Sequence, residues 1–328
     1  MRHQLVFASL AAAACGALRA AGPVQLTVTP EAGLIDAPFQ VQLHNLLPGA
    51  RVTLRAARPD ARGRTWTAVG EYAADASGTV DVSLVEGIAT VRFAHPKGNS
   101  LPAALLARLA AEIRRLGTVD GVHVIVLRSG ESGPFCAGAS FDELKSIRDA
   151  AGGKEFFMGF ARVILAMTRC PKVIVARVHG KTVGGGVGLV AAADYAMAVE
   201  TASVRLSELA VGIGPFVVGP VIERKIGLGG FSAMAIDAEW RTARWAEEFG
   251  LYSRVFDSVN ALDSGLETFA RKLAKSNPQA LARLKSIFWQ GTEGWERLLE
   301  ERAEMSGELV LSDFTRNAIA AFDQGARS

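Results

Sequence analysis

The chain has 328 residues, 49% apolar and 21% charged, which is enough to bury a substantial core in one large domain with something smaller beside it and too apolar for a disordered protein. Its formal net charge is only +3, from 36 Lys and Arg against 33 Asp and Glu interspersed along the chain, and no basic run carries interleaved aromatics, so nothing points to a nucleic-acid partner. Cys15, Cys136 and Cys170 are too widely spaced for a metal-ligand pattern or a disulfide framework, and the five histidines are scattered, so no metal site is readable.

Residues 1–22 carry Arg2 and His3, then an uncharged run from Leu5 to Leu18, then small residues, the form of a secretory signal. The run is too short to predict a stable membrane span, and no ideal A-x-A cleavage site follows it. Over 23–82 the pattern changes to alternation in QLTVTP, FQVQLHNL, RVTLRA and TWTAVGEYAAD, punctuated by Pro30, Pro38, Pro48-Gly49, Pro59 and Gly63. That pattern predicts short antiparallel strands in a small β module.

From residue 83 to 328 the signals are those of an α/β domain. Strands are predicted at 88–93, 122–127, 173–178 and 195–199, with helices at 102–116, 154–167 and 186–193. Helical spacing resumes over 233–249 and from Ala261 onward. Trp240, Trp245, Trp289 and Trp295 are assigned to packing in the core or between subunits rather than to a ligand.

Two glycine loops carry the chemistry. Gly184, Gly185 and Gly186 follow the β-branched run 173–178 and open a small-residue helix, so backbone N–H groups at a helix N-terminus face whatever sits in front of them. The plainer alternative is a close-packing turn, and the spacing fits neither a dinucleotide fingerprint nor a P-loop. The second loop, Gly133-Pro-Phe-Cys-Ala-Gly-Ala-Ser-Phe-Asp142, follows the strand predicted at 122–127. Two such loops can pair N–H donors around an oxygen that gains negative charge. Cys136 lacks a partner histidine in any recognisable motif and reads as a small loop residue.

FCAGASFDE resembles the crotonase (enoyl-CoA hydratase/isomerase) loop F-x-A-G-A-D, and HGKTVGGGVGL resembles that family's N-G-x-x-x-G-G-G-x-E-L segment, with LSELAVGIGP following in order. The resemblance runs from about residue 84 to the C-terminus and implies a spiral of ββα turns with a C-terminal helical region. It implies backbone N–H groups of Ala139 and Gly185 as oxyanion donors and Glu208 as general acid/base. Ala137, Gly138, Phe141, Gly184 and Phe216 would line an acyl-CoA site, and Lys97 in HPKGNSLP would meet a CoA phosphate unless it is an ordinary solvated lysine. LSDFTRNAIAAF at 311–322 resembles the helical segment that assembles relatives into trimers or hexamers. CoA enters as part of the substrate, with no separate cofactor and no metal. Such chemistry belongs to the cytoplasm, while the signal-like N-terminus leaves export open. VTPEAGLIDAPFQVQLHNLLPGARVTLRA resembles part of the N-terminal β module of acyl-CoA thioesterases and bile acid-CoA:amino acid N-acyltransferases, without the G-x-S-x-G elbow of their usual partner domain.

The departures bear on reaction type. Where family hydratases place a first glutamate the chain has Gly188, Ser207 replaces the proline before Glu208, and Ser140 replaces the aspartate after A-G-A. A lone carboxylate among apolar neighbours suits moving a double bond between C3 and C2 better than adding water, so isomerisation is favoured over hydration. A non-catalytic acyl-CoA-binding homologue and an acyl-CoA hydrolase of the same fold are the alternatives.

Overall fold

The structure is a computed structural model and describes residues 25–29, 40–44, 51–59, 65–73, 82–130 and 133–325. The signal-like stretch 1–22 lies outside the described residues. The chain divides into two compact units, Met1–Ala89 and Thr90–Ser328. In the first, β1 (Gln25–Thr29) and β2 (Gln40–His44) pair antiparallel, and β3 (Arg51–Pro59) and β4 (Thr65–Ala73) form a second antiparallel pair with Arg51 opposite Ala73. β5 is Val82–Val85.

β6 (Ile88–Phe93) spans the boundary, and α1 (Ala103–Gly117), β7 (Val124–Ser129), α2 (Phe141–Ser146), α3 (Ala150–Arg169) and β8 (Val173–Val178) follow. Next come β9 (Thr182–Val183), α4 (Gly185–Ala192), β10 (Tyr195–Val199), β11 (Ser203–Arg205) and a 3₁₀ turn at Leu209–Val211. The chain continues through α5 (Gly219–Asp237), β12 (Arg241–Thr242), α6 (Ala243–Glu248) and β13 (Arg254–Phe256). It closes with α7 (Val259–Ala274), α8 (Pro278–Phe288), α9 (Trp295–Leu309) and α10 (Asp313–Gly325).

The larger unit is a mixed α/β fold. Its main sheet runs β13-β10-β8-β7-β6, with β7 parallel to β8, β8 to β10 and β10 to β13, so each long strand lies beside the previous one. β8 is buried at every residue, which is why its sequence, VIVARV, is a continuous rather than an alternating apolar run. The one charge in it, Arg177, makes a bidentate pair with Asp263 of α7, Nε to Oδ1 at 2.6 Å and Nη2 to Oδ2 at 2.8 Å. α1 buries Leu105, Leu106, Leu109, Ile113 and Leu116, the spacing of one helix face, and stops at Thr118, whose hydroxyl donates to the Arg115 carbonyl at 2.9 Å. α3 starts where the Asp149 carboxylate accepts from Gly152 N–H at 2.7 Å. It crosses α9 with the backbones in contact, since a Cβ on Gly153 would lie 2.7 Å from the α-carbon of Gly307.

A second layer consists of short segments, most of them following a long strand and the last, β12, following α5. Leu101 pairs with Ala139, Cys136 with Thr182, Thr182 with Val204, and Val204 with Arg241. This layer carries the site.

The helix expected at 154–167 starts four residues earlier, as α3, and other sequence expectations change too. The strand predicted at 122–127 runs two residues later, because Val122 is fully buried in the turn before β7. Helix is not continuous over 233–249: α5 ends at Ala238 in a left-handed conformation (φ 51°), and β12 adds an edge to the short sheet before α6 begins. Trp289 and Trp295 are buried and meet edge to face, whereas Trp240 is 39% exposed with Lys181 and Arg205 over its ring.

Candidate active site

Parallel pairing in the short layer brings the two glycine loops together. Cys136 N–H donates to the Lys181 carbonyl and Val183 N–H to the Cys136 carbonyl, which fixes Cys136 beside Thr182. Ala139 and Gly185 each lie three residues beyond that bridge, on adjacent segments. Leu101 N–H bonds the Gly138 carbonyl and Ser140 N–H bonds the Leu101 carbonyl. In a parallel bridge of this kind the N–H of the central residue, Ala139, points away from the neighbouring strand. Gly185 opens α4, and the first bond of that helix is made by Val187 N–H to the Gly184 carbonyl at 2.8 Å, so the Gly185 N–H precedes the helical ladder.

The third segment is placed in the same way. Gly184 N–H donates to the Arg205 carbonyl at 2.9 Å, and Glu208 follows three residues later. Its carboxyl lies over Gly184, where an added Cβ would sit 2.8 Å from Oε1. Gly184 also has φ 52° and ψ −118°, a conformation closed to other residues, so glycine is required there twice over. Gly138, at φ 89°, faces the Val183 carbonyl at 3.2 Å from its own would-be Cβ.

The three segments enclose a cavity of about 70 Å³. Ala137, Gly138, Ala139, Phe141, Gly184, Gly185, Glu208 and Phe216 all line it. Lys97 does not: it is exposed and paired with Asp142, the residue after Phe141. The wall also contains residues with no chemical signature in the sequence, among them Phe157 and Phe160 of α3, Val218 before α5 and Ser306 of α9. Periodicity marks those helix residues as core, but which helices flank the loops is a tertiary fact. The Phe160 ring rests on Gly185, since a Cβ there would come within 2.1 Å of it.

Glu208 is the one ionisable residue on the described cavity wall. As a residue it is half-buried, yet its Oε2 is closed to solvent and has no hydrogen-bond partner among the described residues. Burial pushes its pKa from 4.5 up to about 7, against a smaller downward pull from the backbone N–H groups of Glu208 and Ser207. Cys136 is also buried, its thiol pushed up to about 12 and packed on Gly186, which leaves it inert as a nucleophile. Among the described residues no group of three or more His, Cys, Asp or Glu could hold a metal ion, and no helix is long and apolar enough to cross a membrane.

The site is thus two strand-linked glycine loops and one desolvated carboxylate around a mostly apolar cavity in an α/β fold. The Enoyl-CoA hydratase/isomerase family profile matches residues 84–323, and the chain belongs to that family, the crotonases. The profile of the Acyl-CoA thioester hydrolase/BAAT N-terminal region matches residues 36–89. The chain is 28% identical over 239 residues to the peroxisomal Delta(3,5)-Delta(2,4)-dienoyl-CoA isomerase of Arabidopsis thaliana, covering 68% of this chain and 84% of that one. It is 29% identical over 228 residues to the 2,3-dehydroadipyl-CoA hydratase of Escherichia coli, covering 69% and 88%. The fold matches the crystal structure of the enoyl-CoA hydratase from Bacillus halodurans with a TM-score of 0.68 at 21% identity, over 73% of this chain and 98% of that one.

Proposed function

We propose that the protein moves the carbon–carbon double bond of an enoyl-CoA thioester between C3 and C2. Glu208 takes a proton from C2 and returns it to C4, while the N–H groups of Ala139 and Gly185 hold the thioester oxygen as charge moves onto it. The observation that carries this reading is that Glu208 stands as the only ionisable group on the described cavity wall, with its buried Oε2 unpartnered. A base near pH 7 is suited to both halves of the transfer, because it accepts and releases the proton with little bias. Two amide donors make the C2 proton removable, and each contributes about 3–4 kcal/mol to lowering the barrier. Ala137, Gly138, Phe141, Gly184 and Phe216 shape the acyl site, and Lys97 reaches a CoA phosphate after exchanging Asp142 for it.

Residues 83–328 form the catalytic domain in this reading, and 23–82 an accessory β module. The enzyme needs no cofactor beyond the CoA of its substrate, assembles as a homotrimer or hexamer through its C-terminal helices, and works in the cytoplasm. Hydration is the second reading, favoured by the name of the Escherichia coli relative. The deciding experiment compares the rate with 3-hexenoyl-CoA to the hydration rate with crotonyl-CoA in one preparation, with products identified by mass spectrometry. Faster migration than hydration is expected. Faster hydration would reverse the preference, and tight binding of both esters with no product would make the protein a binder.

A further inference from the structure

We infer that Val218 occupies the space a side chain at position 188 would need, so that the pair Gly188 and Val218 commits the site to double-bond migration and against addition of water. The inference rests on the enoyl-CoA reading of the cavity and adds the residue that decides between its two reactions.

A Cβ built on Gly188 would meet Val218 and nothing nearer: Cγ1 at 2.5 Å, Cβ at 2.8 Å and Cα at 3.7 Å. Gly188 is fully buried within α4 and does not reach the cavity, whereas Val218 is 5% exposed and lies on its wall. Val218 therefore stands between position 188 and the cavity. Its neighbours on that wall, Pro215, Phe216 and Val217, are apolar as well. A water molecule held for attack needs two or more polar partners; the methyl groups of this stretch supply none, and the polar side chains of the wall, Ser207, Glu208 and Ser306, lie on other segments. The absence of a carboxylate at 188 is thus one half of a packed arrangement, and Val218 is the other half.

The distances say which substitution would undo it. Truncation to alanine leaves the Val218 Cβ only 2.8 Å from a side chain at 188, which is a clash. Glycine leaves Cα at 3.7 Å, an ordinary contact. Val218 is the N-cap of α5 at φ −86°, where glycine is tolerated.

The test uses full-length wild type, Gly188→Glu, Val218→Gly and the double variant, each assayed for hydration of crotonyl-CoA, for isomerisation of 3-hexenoyl-CoA and for melting temperature. Gly188→Glu alone should lower the melting temperature by about 5 °C or more through overpacking and leave hydration no faster than wild type. The double variant should regain at least half of that loss and hydrate crotonyl-CoA at least about ten-fold faster than either single variant, a non-additive gain. Gly188→Glu that melts like wild type, or hydrates as fast as the double variant, overturns the inference. A double variant with restored melting but no added hydration overturns it too. A wild type that converts neither ester sinks the reaction reading and the specificity claim with it, while the melting cycle alone still decides whether the two positions compete for one space.

Discussion

Two buried carboxylates in this protein are treated in opposite ways. Asp194, between α4 and β10, is saturated: Lys285 Nζ lies 2.7 Å from Oδ2, Ile174 N–H donates to Oδ2 at 2.8 Å, and Trp289 Nε1 donates to Oδ1 at 2.8 Å. Both members of that ion pair are almost wholly buried, and Lys285 also donates to the Lys172 carbonyl at 2.9 Å. The cluster ties α8 to β8 and to the start of β10. Glu208 has a buried oxygen with no partner and an elevated pKa. A partnered carboxylate has spent its lone pairs on structure. A carboxylate with one oxygen left free keeps a proton acceptor for something else, and its desolvation is a cost the rest of the fold must offset.

The comparison breaks first if removing the Glu208 charge leaves activity intact. Glu208→Gln should lower kcat for the enoyl-CoA reaction by 10³-fold or more, of the order expected for loss of a positioned base, while the protein melts at the same temperature or higher at pH 8. A variant within ten-fold of wild type would move the base elsewhere. Asp194→Asn should do the reverse. It leaves Lys285 buried without a counter-charge and should cost about 3–5 kcal/mol in urea unfolding, with kcat per folded molecule within a few-fold of wild type. Unchanged stability would mean the cluster is not the tie described here.

The pH dependence sharpens the contrast. Burial raises the folded-state pKa of Glu208 from 4.5 to about 7, so between those values the folded protein holds a proton that the unfolded chain releases. Stability from this group is therefore full below about pH 4.5 and is lost as pH rises through about 7, a loss of about 3 kcal/mol. Activity rises over the same range as the base ionises. Subtracting the Glu208→Gln unfolding profile from that of wild type should isolate this slope, and a flat difference would show that the carboxyl is hydrated. Gly184→Ala should cost about ten- to a hundred-fold in kcat, since the added Cβ meets the Glu208 carboxyl at 2.8 Å and the backbone there disfavours a side chain. The smallest effect belongs to Lys97→Ala. Its pair with Asp142 is exposed and screened by solvent, so stability should hardly change, and KM for the CoA ester should rise only a few-fold.

Much of this was legible in the residues. The glycine run 184–186 after a β-branched strand announced one loop, because only a bare backbone turns that tightly into a helix, the glycine-containing stretch 133–142 after an apolar strand announced the other, and the apolar neighbours of Glu208 announced its desolvation. The alternation of strands and helices marked the α/β domain, with long strands such as 173–178 and 195–199 read to the residue. Short segments were not readable. β9 and β12 are two residues long, so no period can be seen in them, and their pairing partners are distant in sequence. Helical spacing over 233–249 concealed a break that depends on Ala238 adopting a left-handed turn against β12.

By itself the sequence determined which groups are present: two amide-bearing glycine loops, one carboxylate after them, and no second carboxylate at Gly188. Only the tertiary structure decided what they meet. Parallel bridges bring the two loops onto one cavity wall, so that Ala139 and Gly185 both line it, Glu208 lies over Gly184, and Val218 fills the volume beside Gly188, because strand register and packing act between residues far apart in the chain and leave no local pattern to read.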